Sequence, residues 1–237
     1  MGETHGRKAF NRNPQLGVVS DYVLMEPNLQ IGECTESMSE IQITHYFSSL
    51  IILAMSTDYQ IEDQFATHFI TPTIVDWVDV FTRKAYRDIV MDSLSYCIKH
   101  KGLILYGYVI MTNHLHLLVR SEPGKLSDTI RDFKKFTATA LLEAIRNGPE
   151  SRREWILPRF EWNAAQNKRS TDNQVWTHEN RPEYIYSKKF FDQKLKYIHE
   201  NPVRAGIVEQ PEEYLYSSAK ALLLNKPGPM PLADWYS

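Results

Sequence analysis

The sequence predicts an α+β fold of the ferredoxin-like split βαβ kind, an antiparallel sheet with helices on one face. Three observations lead to it. Segments of strand and helix character follow one another as strand, helix, strand, strand, helix, strand between His68 and Ile185. Two of the strands are joined by a tight turn at Thr112-Asn113. The two helical segments each carry one apolar stripe to bury against a sheet.

Each element has its own signal. His68 to Val80 is rich in Thr, Ile, Val and Trp, which suits a strand and a turn, and Trp77 is read there as a core residue. Arg83 to Lys101 reads as a helix, with Tyr86, Val90, Leu94 and Cys97 at helical spacing; the basic run Lys99-His100-Lys101 and then Gly102 suit its end. Leu103 to Met111 is a continuous apolar run, as in a central strand buried on both faces. Asn113 tolerates the left-handed backbone that a tight hairpin turn uses. In the strand from His114 to Arg120 side chains alternate, so His114 and His116 share one face while Leu115, Leu117 and Val119 take the other.

Ser127 can cap a helix running to about Arg146. Ile130, Phe133, Thr137, Leu141 and Ala144 line its apolar side, and Arg131, Lys134 and Lys135 lie opposite. Asn147 to Arg181 is irregular, with Trp155, Trp162 and Trp176 among Arg152, Arg153, Arg159, Lys168 and Arg169. Aromatics beside cations suit unpaired bases, although each Trp taken singly reads as an anchor of a long loop to the core. Val175 to Ile185 is the place for a last strand, which Pro182 would confine to an edge or break. From Ser187 to about Asn201 a further helix packs inward through Phe191, Leu195 and Ile198. Gln193, Tyr197 and Asn201 fall on another of its faces, and Pro202 is read as its end.

Hydrophobic residues make up 43% of the chain, ample for a globular core. Two cysteines, Cys34 and Cys97, argue against a disulfide scaffold. The apolar run Ser49 to Met55 is shorter than the roughly 20 residues of a membrane span, and no signal-peptide pattern opens the chain. A cytoplasmic protein with no membrane partner is expected. Net charge is only −2 but unevenly spread: residues 1–82 carry 3 Lys+Arg against 11 Asp+Glu, while residues 83–237 carry 24 against 18. The later part is thus basic, as a nucleic-acid module would be. The expected organisation is an extension over residues 1–64, a domain over 65–225 and a loose tail over 226–237.

Two stretches carry chemistry. The first, Gly107 to Arg120, places two imidazoles two residues apart on one strand face, a ready pair of metal ligands. Two ligands alone do not close a site, and such a pair also arises by accident on a half-exposed sheet. The second is Lys194-Leu195-Lys196-Tyr197-Ile198-His199-Glu200-Asn201-Pro202-Val203-Arg204-Ala205-Gly206-Ile207-Val208. Together they resemble the HUH single-tyrosine transposases of bacterial insertion sequences. The likeness is greatest to the REP-associated branch, where Met-x-Asn-His-hydrophobic-His-Leu precedes Tyr-Ile-His-x-Asn-Pro-Val-Arg-Ala-Gly. It spans roughly Phe65 to Ala221, and Tyr214 and Tyr216 match the family's tail.

The resemblance implies an HUH fold and a metal-dependent single-strand DNA endonuclease and strand transferase acting on single-stranded or hairpin DNA. Tyr197 would be the nucleophile, forming a 5′-phosphotyrosine. His114, His116 and Asn201 would hold Mg²⁺ or Mn²⁺, Asn201 standing where insertion-sequence enzymes often carry Gln. Arg131, Lys134, Lys135 and Arg204 would contact DNA. The active form would be a monomer or a homodimer, with the tyrosine acting in its own subunit or a partner's. Two other readings stay open: a domesticated hairpin-binding protein that does not cut, and a hydrolytic or structural metal protein in which the tyrosine is incidental.

Overall fold

The computed structural model describes residues 60–167 and 172–236. The acidic leader, the possible starts at Met38 and Met55, Cys34, and Lys168 and Arg169 lie outside the described residues. Four strands form one antiparallel sheet in the order β2-β3-β1-β4. They are β1 (His68–Ile70), β2 (Leu103–Ile110), β3 (Leu115–Ser121) and β4 (Glu183–Tyr184). That order, with α1 (Lys84–His100) joining β1 to β2 and α2 (Leu126–Asn147) following β3, is the split βαβ arrangement.

Strands β1, β2 and β3 are buried on both faces, and the edge strand β4 is exposed. β3 buries Leu115, Leu117 and Val119 on one side and His116 and Leu118 on the other. α1 and α2 pack on each other and cover the first side; α4 (Lys188–Arg204) covers the second. The two helices of the split βαβ order therefore share a face as expected, and α4 lies on the opposite one. Its close approach has a local cause. A β-bulge falls between Leu105 and Gly107, and a Cβ added at Gly107 would lie 2.5 Å from Leu195 Cδ1 and 3.8 Å from Ile198 Cδ1. A side chain there would force Leu195 to shift, so glycine lets α4 approach without displacing it.

Several expectations need correction. Pro202 does not end α4, which runs on to Arg204. Proline forfeits its own N–H bond to the previous turn and crowds the carbonyl there, but the chain after it keeps helical bonding: Ala205 N donates to Asn201 O and Gly206 N to Val203 O. Ser127 does not cap α2, whose first residue is Leu126. Gln64 does that work from outside: its Oε1 accepts from Ser127 N at 2.8 Å and its Nε2 donates to Ser127 Oγ at 2.8 Å. Residues 60–64 therefore belong to the packed body, with Ile61 buried.

The irregular stretch contains α3 (Arg153–Ala165), with Ile156, Phe160 and Ala164 buried at i, i+4 and i+8 and Pro158 inside it. After α4 the chain returns along β2. Ile110 N donates to Tyr216 O, Ser218 N to Tyr108 O, and Tyr214 Oη to Ile110 O, covering an edge that would otherwise offer unpaired backbone groups. The expected loose tail is docked: Ala233 N donates to Leu105 O, Met230 is buried, and the Trp235 ring stacks on Phe191 with centroids 4.6 Å apart.

Candidate active site

The hairpin turn positions the first histidine. Met111 N donates to His114 O at 2.9 Å, so Thr112-Asn113 forms the bend. Neither residue is left-handed, contrary to expectation. Asn113 serves instead as a junction: its O accepts from Ile74 N, its Nδ2 donates to Trp77 O at 3.1 Å, and its Oδ1 lies 2.7 Å from His114 Nδ1. An amide oxygen only accepts, so His114 carries its proton on Nδ1 and turns a lone pair outward on Nε2.

His116 sits on β3 opposite Val109, only 5% exposed. Its Nδ1 lies 3.0 Å from Thr71 Oγ1, and its Nε2 faces His114 Nε2 at 3.2 Å. The Thr71 hydroxyl suits either tautomer. By donating, it lets His116 Nε2–H donate to His114. By accepting, it leaves two lone pairs aimed at one point, as two ligands of one cation require. Nitrogens 3.2 Å apart and each about 2.1 Å from a metal subtend about 100°, an ordinary ligand angle. Burial pushes the His114 imidazole down to about 4 and His116 down to about 3, the latter also by His114 and the Lys194 and Arg204 charges. Both rings are neutral at neutral pH, the form that ligates metal. The pair thus fits a divalent cation. Among the described residues no third His, Cys, Asp or Glu joins them, so further ligands must be of another type, such as an amide, water or substrate oxygen.

α4 brings the tyrosine. Phe191, Ile198 and His199 are buried beneath it, and Leu195 packs against the core. On its outer side Lys194, Tyr197, Asn201 and Arg204 form one stripe. The Tyr197 ring, 38% exposed, lies 5.1 Å from the His116 ring and 5.9 Å from Phe69, which itself stacks on His116 at 5.2 Å. The Arg204 guanidinium sits 4.3 Å over the Tyr197 ring and donates to Tyr197 O at 3.0 Å. Asn201 is one turn beyond Tyr197 and partly buried; no hydrogen bond joins its amide to either imidazole.

Two residues of this site escaped the sequence reading. Lys194 lies 4.6 Å over Phe69, is paired with Glu183 at 2.6 Å, and adds positive charge beside His116. The spacing Lys194, Tyr197, Asn201, Arg204 was the signal for it. Trp77, expected in the core, is 60% exposed with its ring 6.0 Å from His114.

The basic residues of α2 divide. Arg131 is exposed and paired with Asp128 and Asp132, while Lys135 is exposed and pairs with no carboxylate among the described residues. Lys134 turns inward: its Nζ donates to Thr177 O at 2.6 Å and Asn180 Oδ1 at 2.9 Å, and burial pushes it down to about 8. These three residues and Arg146 line a cavity of about 970 Å³ with residues 172–178. The segment Lys134 holds reaches the histidines, since Thr71 N donates to Asn180 O and Thr177 N to Thr73 O. His199, also in the tyrosine motif, is buried on the far side, 2.9 Å from Ser218 Oγ, and is structural.

No helix among the described residues is long and apolar enough to cross a membrane. No family model matches the chain, and no curated protein matches it. Among solved structures it is similar to a REP-associated tyrosine transposase bound to a REP hairpin, with a TM-score of 0.52 and 15% identity, over 75% of this chain and 92% of that one. At that identity the likeness is one of fold: a four-stranded antiparallel sheet with helices, as in a tyrosine transposase.

Proposed function

We propose that the chain is a DNA strand transferase that cuts and rejoins single-stranded hairpin DNA through a 5′-phosphotyrosine at Tyr197. The observation that carries this is the placement of a half-exposed tyrosine ring 5.1 Å from His116, whose Nε2 faces that of His114. The solved hairpin-bound neighbour supports hairpin DNA as the substrate class.

In this reading His114 and His116, with Asn201, would hold a divalent cation, Mg²⁺ or Mn²⁺. Such a cation supplies Lewis acidity at a non-bridging oxygen of the scissile phosphate. The chain's own residues do the rest. Lys194 and Arg204, on either side of Tyr197, offset phosphate charge. The helix and the Arg204 contact hold the ring for attack. Tyr197 Oη bonds to phosphorus and the P–O3′ bond breaks; the phenol gives up its proton and the departing 3′-oxygen takes one up. Attack by a 3′-OH on the phosphotyrosine runs the same step backwards, so rejoining needs no outside energy. Arg131, Lys135 and the α2 cavity bind the stem through its phosphates, while Lys134 braces the segment between cavity and histidines. The active unit is a monomer or homodimer in the cytoplasm, without a membrane partner.

The test is incubation with labelled single-stranded hairpin DNA and Mg²⁺ or Mn²⁺. A protein–DNA adduct that survives SDS is expected. Tight hairpin binding with no adduct in either metal would select the non-cutting reading.

A further inference from the structure

Three tryptophans remain outside this mechanism, and they are on the surface. Trp77 and Trp162 are each 60% exposed and Trp155 is 45% exposed. A soluble domain that leaves indoles in water gives up burial they would otherwise gain, so a cluster of them marks a contact surface. Trp176 shows the contrast: it is buried and donates to Thr137 Oγ1, as a loop anchor should.

The exposure of Trp77 is enforced. Asp76 and Trp77 both have left-handed backbones, φ +51 and +54, an unfavourable conformation for two successive residues with side chains. Buried Val75 and Val78 pin the turn on either side. Asn113 Nδ2 holds Trp77 O, and Asp76 Oδ2 accepts from Asn163 Nδ2 of α3 at 2.8 Å. The same Asn113 fixes His114, so ring and metal ligand are set by one side chain.

α3 presents the other two. Trp155, Arg159 and Trp162 fall at i, i+4 and i+7, opposite the buried Ile156, Phe160 and Ala164. The Arg159 guanidinium lies 4.3 Å over the Trp155 ring. Asp76, Glu154, Trp155, Pro158, Arg159 and Trp162 line a cavity of about 510 Å³. Flat rings suit the faces of unpaired bases, and the Arg159 guanidinium adds positive charge beside them. The two carboxylates repel phosphate and accept base amino groups.

We propose that Trp77, Trp155 and Trp162 form a stacking platform for unpaired DNA bases, taking the single strand that runs on from the scissile phosphate at the histidine pair. The proposal rests on the strand-transfer reading only for where that strand passes.

The test compares a blunt labelled hairpin with the same hairpin carrying a short oligothymidine extension, by fluorescence anisotropy with the full chain. The extended hairpin should bind between about fivefold and a hundredfold more tightly, the range of one stacked base. Trp162→Ala and Trp155→Ala should each remove much of that preference and leave blunt-hairpin affinity unchanged; Trp162→Phe should keep most of it. No preference in the unaltered chain, or equal loss on both DNAs, would overturn the platform. The SDS-stable adduct is scored separately on the same DNAs. Adduct without Trp dependence sinks the platform and leaves strand transfer standing. Trp-dependent tail binding without adduct does the reverse.

Discussion

Removing one oxygen probes the chemistry most directly. Tyr197→Phe keeps the ring against His116 and under Arg204, so packing should barely change. It should bind hairpin DNA as the unaltered chain does and form no adduct. Adduct formation by the Phe variant would move the chemistry to exposed Tyr184 or Tyr186. His114→Ala or His116→Ala should abolish cutting while hairpin affinity changes less than about threefold, because phosphate contacts supply the affinity. Full cutting by the double variant would remove the pair as ligands. The pH dependence has a definite sign. An imidazole held near 3 or 4 when folded and near 6.5 when unfolded binds its proton more readily in the unfolded chain. Stability from His114, His116 and His199 is therefore fully present above about pH 6.5 and declines as pH falls toward 4. Denaturant midpoints at pH 7 and pH 5 in EDTA should show that decline, and a midpoint that rises on acidification would contradict it.

At the scale of elements, the approach of α4 to β2 is the feature that sets Tyr197 over the histidines. Gly107→Ala places a methyl in contact with Leu195 Cδ1. Overpacking of this kind costs about 1–3 kcal/mol. The variant should melt lower and form adduct more slowly, and Leu195→Ala added to it should recover much of both. Recovery of neither would show that the contact does not govern the helix.

Most of this layer was legible. Long amphipathic runs, the apolar β2 segment and the glycine stop after α1 are local signals, and local physics decided them. α3 was hidden because Pro158 and the tryptophans break its apolar pattern, leaving only Ile156, Phe160 and Ala164 to mark it. The cap on α2 comes from Gln64, 63 residues away from Ser127, and no window along the chain contains both partners. Trp77 was misread because indoles are ordinarily buried, whereas here left-handed backbone turns one outward. The histidine pair and Tyr197 were legible through strand alternation and motif; Lys194 beside them is seen only when the helix is viewed as a stripe.

At the scale of the molecule, the boundaries matter for any truncation. A chain beginning at Gln60 keeps Ile61 in the core and Gln64 on α2, and it should cut hairpin DNA as the full chain does. Loss of cutting by a folded chain of that length would assign the leader to the active unit. A chain beginning at Ala66 should melt several degrees lower, since it loses the Gln64 cap. Tyr197 and the His116 imidazole it faces lie in one copy of the chain. Mixing Tyr197→Phe with His116→Ala should therefore restore no adduct, and restoration would mean that subunits exchange their tyrosines. The same placement has a further consequence for the fate of a broken strand. In the proposed reaction each severed 5′ end stays tethered to the copy that severed it, like a rope still in the hand that cut it. Joining ends from two distant breaks then requires two copies to be brought together, so the pairing of DNA ends is decided by what brings those copies side by side and not by the cutting step.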